Sequence, residues 1–332
     1  MNDPFSIASL TIDPKRETAQ ICEKIRHQLS RQLKRRGIVV GLSGGIDSSV
    51  TAALAAKAVG PNRVAALLMP EQNSAEETLS LSELAADHAG IATIHEDISE
   101  MLKAAGHYRR YEEAVRMVIP AYGDGWKSKI VTSSALSGKG FTYFSIVARS
   151  PEGETITERL PLEPYLAIVA ATNFKQRIRK MLEYYHADRL NYAVAGTPNR
   201  LEYDKGFFVK NGDGAADIKP IAHLYKSQVY QLAEFLGIPD EIRSRPPTTD
   251  TYSLPQGQDE FYFSVDTLKM DLCLYGKNHG IDAAEVARAA GMSTEQVKHI
   301  YDDIDQKRST TRYLHLPPLL VEEVGEVLNG RR

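Results

Sequence analysis

Gly37-Ile38-Val39-Val40-Gly41-Leu42-Ser43-Gly44-Gly45-Ile46-Asp47-Ser48-Ser49 is the stretch on which the fold turns. Ile38 to Leu42 is a short, nearly all-apolar run. A Gly/Ser turn breaks it, and an alanine-rich stretch from Asp47 to Val59 follows, stopped by Gly60 and Pro61. That order predicts strand, turn, helix. Val64 to Met69 repeats the apolar run, a helix ending at Gly90 comes next, and Ile91 to His95 is a third strand. Strands that are apolar throughout and separated by helices imply a parallel sheet buried on both faces, with right-handed crossovers. The expected class is α/β, a doubly wound parallel sheet flanked by helices.

Downstream the pattern loosens. Lys103 to Ile119 predicts a helix, and Phe141–Ala148 and Glu154–Leu160 predict an antiparallel hairpin around Ser150-Pro151-Glu152-Gly153, with no evident place in the parallel sheet. A long helix from about Pro164 to Leu190 leads to a fourth apolar run, Tyr192 to Gly196, which returns to the sheet. A helix from Lys226 to Leu236 and a helical C-terminal part follow, where Ser293 and Gln296 make a capping box. The expected organisation is an N-terminal helical segment (1–36), a first core half (37–103), an insert with the hairpin (104–165), a second core half with substrate loops (166–260) and a helical C-terminal part (261–332).

Composition removes several classes. The chain has 332 residues, 40 Lys+Arg against 43 Asp+Glu, and 42% hydrophobic residues, as in ordinary globular proteins. Only Cys22 and Cys273 are present, without metal-ligand spacing, which excludes zinc fingers, iron–sulfur sites and disulfide frameworks. No stretch approaches the ~20 apolar residues of a membrane span and no export signal is recognised, so no membrane partner is expected; the net charge of −3 argues against nucleic acid, and the sparse cysteines fit a reducing cytoplasm. The basic run Arg31–Arg36 reads as a solvated helix end.

The turn after the first strand carries chemistry. Paired glycines let a backbone approach an anion closely, and the helix behind presents unpaired N–H groups and a positive dipole end, which suits a phosphate. The loop is not a Walker A sequence, since its lysine is missing, nor a G-x-G-x-x-G fingerprint. A carboxylate at Asp47 makes sense if Mg²⁺ bridges it to phosphates.

At Ser43-Gly44-Gly45-Ile46-Asp47-Ser48 the sequence resembles the N-type ATP pyrophosphatases, of the adenine nucleotide alpha hydrolase-like fold. Asn173 to Arg179 (NFKQRIR), Ala195 to Glu202 (AGTPNRLE) and Gly206 to Pro220 (GFFVKNGDGAADIKP) are similar to the ammonia-dependent NAD synthetases within that class. The resemblance implies a ligase in NAD biosynthesis. ATP adenylates the carboxylate of deamido-NAD, and ammonia displaces AMP to give NAD. It implies an ATP site at Gly41, Leu42, Ser43, Gly44, Gly45, Ile46, Asp47, Ser48, Thr197, Lys226 and Thr248, with Asp47 and Lys226 catalytic. It implies Mg²⁺ on Asp47 and Glu202, deamido-NAD on Arg177, Lys210, Asp213, Asp217, Gln306 and Lys307, and a homodimer whose dinucleotide site lies across the subunit boundary. Asp47→Asn is expected to cut turnover by orders of magnitude and to leave the fold intact, as for a turn residue facing solvent.

The match departs from the family pattern in places. The stretch between Lys103 and Asn173 is longer than usual, Gln306 stands where a His is common, and Met69 to Ser74 is compact. Neither cysteine has a nucleophile setting, and the ~40 residues ahead of the loop are too few for a glutaminase domain, so free ammonia is the expected donor unless a separate subunit delivers it. The rival readings are another adenylating enzyme of the same loop class, acting on a different carboxylate or carbonyl, and a nucleotide-sensing protein without turnover.

Overall fold

The computed structural model describes residues 5–74, 76–132, 143–246, 251–255 and 265–325. Helix α1 (Pro14–His27) is capped by Asp13, which accepts from the Lys15 and Arg16 amides, and it sends Ile21, Cys22 and Ile25 into the core. A π-type turn over Gln28–Leu33 follows, and all of Arg31–Arg36 except Leu33 is exposed. Then come β1 (Ile38–Leu42), α2 (Ile46–Val59), β2 (Val64–Leu68), α3 (Glu76–Ala89) and β3 (Ala92–His95), the predicted alternation.

The middle differs from the sequence reading in two ways. The helix expected over Lys103–Ile119 is two, α4 (Ser99–Ala104) and α5 (His107–Arg116), because Gly106 between them takes φ +76° and turns the chain. A strand also went unpredicted, β4 (Lys127–Thr132), whose alternation of Ser128 and Ile130 with Lys127 and Lys129 is short. It pairs antiparallel with β5 (Phe144–Arg149), which pairs with β6 (Thr155–Arg159), so the expected hairpin belongs to a separate three-stranded sheet. Phe141 and Thr142, included in the expected hairpin, lie outside the described residues.

This small sheet has its own core, with Ile130, Ile146, Ala148 and Ile168 buried together. Ser128 is its polar hub. Its hydroxyl lies 2.8 Å from the Tyr111 hydroxyl and 2.9 Å from that of Tyr122, while its amide donates to Ser253 Oγ at 2.9 Å.

Helix α6 (Leu162–Leu190) returns to β7 (Ala193–Ala195), which pairs in parallel with β1 and completes a sheet of order β3-β2-β1-β7. Successive strand residues face opposite sides. Ile38, Val40 and Leu42 of β1 join a core with α1, α2 and α3, while Val39, with Ala65 and Leu67, packs against Leu102 of α4 and Ile178 and Ala187 of α6. Both faces are therefore covered, as the doubly wound reading requires. Among the described residues the remaining regular elements are helices: α7 (Arg200–Lys205), α8 (Lys226–Phe235), α9 (Asp240–Arg243), α10 (Thr267–Asn278), α11 (Ala283–Ala290) and α12 (Thr294–His315), the last opened by the Ser293/Gln296 capping box.

Candidate active site

Strand β1 ends against the N-terminus of α2, and the loop between them forms the floor of a chamber of about 480 Å³. Gly45 caps α2 without a side-chain acceptor, so the first amides of the helix point into the chamber with no helical partner. Gly44 has φ +67°, and a Cβ there would come within 2.8 Å of Leu81 Cβ and 2.9 Å of the Thr78 carbonyl, so only glycine lets α3 pack this closely behind the loop. The Ser43 amide donates to Ser48 Oγ at 3.3 Å, and Ser48 Oγ donates to the Gly45 carbonyl at 2.9 Å, which fixes the curl of the loop.

The charges at the loop are interlocked. Lys226, the first residue of α8 and only 3% exposed, donates through Nζ to Asp47 Oδ2. Burial works to strip the proton from Lys226, but the Asp47 and Glu202 carboxylates outweigh it and hold the ammonium above lysine's ordinary range. Asn199 ties these groups together. Its amide nitrogen Nδ2 donates to Asp47 Oδ1 at 3.2 Å, its Oδ1 accepts from the Glu202 amide at 3.1 Å, and its own amide donates to Glu202 Oε2 at 3.1 Å. Asp47 is therefore not the solvent-facing turn residue expected from sequence. Its side chain is 16% exposed and is the partner of a buried cation, so substituting it touches stability as well as chemistry. Behind Lys226, the buried Asp271 of α10 accepts from the Lys226 and Ser227 amides at 3.3 and 2.7 Å, and burial pushes its carboxyl up to about 6.

The structure brings Gly41 through Ser48, Thr197, Glu202, Asp213 and Lys226 to this one chamber. Thr248 lies outside the described residues. Of the six candidates for the dinucleotide, only Asp213 lines the chamber. Its Oδ1 accepts from the Val209 amide at 2.7 Å, and burial raises its carboxyl despite that bond and Lys180. Arg177 is exposed and donates to the Lys210 carbonyl at 3.3 Å, while Lys210 Nζ donates to the Tyr313 and Leu316 carbonyls at 2.7 and 3.3 Å. Asp217 is also exposed, and it accepts from the Val194 amide at 2.8 Å, which fastens the loop to β7. Gln306 faces solvent on α12, and Lys307 pairs with Asp303 at 3.0 Å, where burial and the nearby Lys205 lower its ammonium to about 8.

Helical geometry explains why Arg177 falls outside while its neighbours fall inside. Tyr165, Val169, Thr172, Gln176, Arg179 and Glu183 of α6 all line the chamber, and they recur at intervals of three and four, a single helix face. Arg177 is about 100° around the helix from Gln176. Sequence reasoning missed this stripe, because its members are mostly polar or charged and no apolar periodicity marks it. It also missed Lys180, which pairs with Glu183 at 2.5 Å against the floor, and Lys175, whose Nζ donates to Glu71 Oε1 at 2.7 Å. Burial favours protonation of both carboxylates. At Glu71 the opposing charge of Lys175 and the Tyr108 hydroxyl win and lower the carboxyl, whereas at Glu183 burial prevails over Lys180 and raises it.

Among the described residues no three His, Cys, Asp or Glu side chains form a metal cage. The chamber instead offers two carboxylates, Asp47 and Glu202, beside the uncapped N-terminus of α2. That donor set fits Mg²⁺, which takes one or two carboxylates and completes its shell with phosphate and water.

A family model described as "NAD synthase" matches residues 17–119 and 153–313. The NH(3)-dependent NAD(+) synthetase of Rhizobium meliloti is 58% identical over 97% of this chain and 96% of its own. That of Mesorhizobium japonicum is 56% identical over 96% and 99%. Among solved structures, an NH3-dependent NAD synthetase from Campylobacter jejuni superposes with a TM-score of 0.62 at 21% identity, covering 94% of this chain and 100% of that one, a likeness of fold.

Proposed function

The chain belongs to the NAD synthase family, and from that premise we propose that it catalyses the ATP-dependent amidation of deamido-NAD with ammonia, giving NAD, AMP and pyrophosphate. The observation that carries the reading is the meeting of Asp47, Lys226 and Glu202, through Asn199, at the mouth of a glycine-lined helix N-terminus. Such a mouth takes the β- and γ-phosphates of ATP, with the free amides of α2 and the Ser43 and Ser48 hydroxyls as donors. Mg²⁺ held by Asp47 and Glu202 would neutralise phosphate charge.

A carboxylate oxygen of the dinucleotide attacks the α-phosphorus, the bond to the bridging oxygen breaks, and pyrophosphate leaves. Ammonia then adds to the acyl carbon, AMP departs and a proton is released. Two anions must approach one another in the first step. The Lys226 ammonium, fixed by Asp47 and desolvated, lowers that repulsion and stabilises the leaving pyrophosphate without reorganising. The remaining work is positioning. In a homodimer, the exposed Arg177 would be available to the partner's dinucleotide site.

The test is incubation with ATP, ammonia and deamido-NAD, reading AMP, pyrophosphate and NAD in equal amounts. Orthophosphate and ADP as products, or no NAD, would overturn the reading.

A further inference from the structure

We propose that the inserted sheet completes the substrate site: Phe144 and Tyr165 form an aromatic wall that stacks on the adenine ring of the dinucleotide, distinguishing a dinucleotide from a mononucleotide. The proposal rests on the amidation reading above and assigns its distal subsite.

Three observations carry it. The family model leaves residues 120–152 unmatched, and that stretch holds β4 and β5. Yet Phe144, the first residue of β5, lines the same chamber as the Gly41–Ser48 loop. The segment outside the common family pattern is thus part of the site. Second, the Phe144 and Tyr165 rings stack with centroids 4.3 Å apart at 18°, and both residues remain half-buried while lining the chamber. A stacked pair with an accessible face is a platform for a third flat ring.

The third observation is position along α6. Glu183 sits beside the loop strand, since a Cβ on Gly41 would come 3.0 Å from Glu183 Oε1. Tyr165 is about five helical turns away on the same face, or about 27 Å. Because α6 turns directly into β7, its N-terminal half rises beyond the C-terminal ends of the strands, where ligands of such sheets bind. The reacting carboxylate must lie at the loop, next to the α-phosphate of ATP. Its pyridine ring is one end of the dinucleotide and adenine the other, so fixing the reactive end at the floor sends the adenosine half up α6. The adenine of ATP, tethered through a single ribose to phosphates already in the loop, has the shorter reach. Between floor and wall the helix face presents Arg179 and Gln176, a cation and an amide suited to a diphosphate and a ribose.

Equilibrium binding and steady-state kinetics of Phe144→Leu test the wall, with Phe144→Trp as the variant that keeps a ring. For Phe144→Leu, Kd and KM for deamido-NAD should rise about tenfold, the scale of one base–aromatic stack. Values for ATP and for nicotinate mononucleotide should stay within about twofold, and Phe144→Trp should recover most of the loss. A parallel rise for the mononucleotide, a rise for ATP in place of the dinucleotide, or no change in any constant would overturn the proposal. If the parent enzyme makes no NAD, the amidation reading fails by itself, and the binding ratio of dinucleotide to mononucleotide still reads the wall.

Discussion

The two ends of the chamber are built on opposite principles. At the floor, charged groups are buried in pairs, Lys226 on Asp47, Lys180 on Glu183 and Lys175 on Glu71, each fixed by the other's position. At the far wall the contacts are aromatic and neutral, with Phe144 on Tyr165 and, in the sheet behind them, two phenol hydroxyls meeting at Ser128. A buried ion pair tolerates little loss, because removing one partner strands the other in a low dielectric. A neutral aromatic wall tolerates change in proportion to the area lost. Chemistry on phosphate needs the first kind of structure, and recognition of a flat ring needs only the second.

Breaking the floor should have the largest effect. Asp47→Asn is expected to lower turnover by about 10²–10³-fold, the scale of losing one preorganised charge at a reacting centre. It should also cost about 2 kcal/mol of stability, because Lys226 loses its counter-ion at a partly exposed site. Single-turnover pyrophosphate release and urea unfolding read the two losses. An unfolding curve that does not move would show that the pair is not stabilising.

Asn199→Ala comes next. It leaves both carboxylates in place and removes what orients them, so turnover at low Mg²⁺ should fall about 10–100-fold, as for other groups that orient metal ligands. Excess Mg²⁺ should recover part of the loss, whereas a loss indifferent to Mg²⁺ would mean that Asn199 only holds α7.

In the small sheet behind the wall, Ser128→Ala removes the shared partner of two phenols and should cost about 1–3 kcal/mol. Its effect on kinetics should be confined to deamido-NAD, with KM for ATP unmoved in an ATP titration.

The smallest effect is on pH dependence. Asp271 is raised to about 6 from 3.8, so the folded state holds a proton between those values that the unfolded state has released. Its contribution is complete below about pH 4 and is lost as pH rises through 6. Glu71 runs the other way. Its lowered carboxyl stabilises above its ordinary 4.5 and loses that contribution as pH falls further. Denaturation of Asp271→Asn from pH 4 to 7 should show a flatter stability profile than the parent. An unchanged slope would assign the pH dependence to other groups.

Much of the floor was legible because it is local. Gly44, Gly45 and Asp47 are neighbours in the chain, and a strand feeding a helix across two glycines has few conformations, so residue order alone pointed to the candidate site. Lys226 and Glu202 followed from motifs in register. Asn199 was read within a motif but not for its hydrogen bonds to both Asp47 and Glu202, since a capping residue and a bridging residue look alike until α7 is docked. The wall could not be read. Residues 104–165 announced a hairpin, but nothing in their order said that it would close over the same chamber.

The sequence by itself determined the parallel sheet and the glycine loop, because apolar periodicity and glycine placement act within a few residues of where they occur, and its motifs in register carried the resemblance to the family. Tertiary structure alone decided which face of α6 looks inward. That helix buries Lys175, Lys180, Glu183 and His186 along with its apolar residues, so no apolar stripe marks its inner side. The choice is made by partners far away in the chain, whose charges make burial of those groups tolerable.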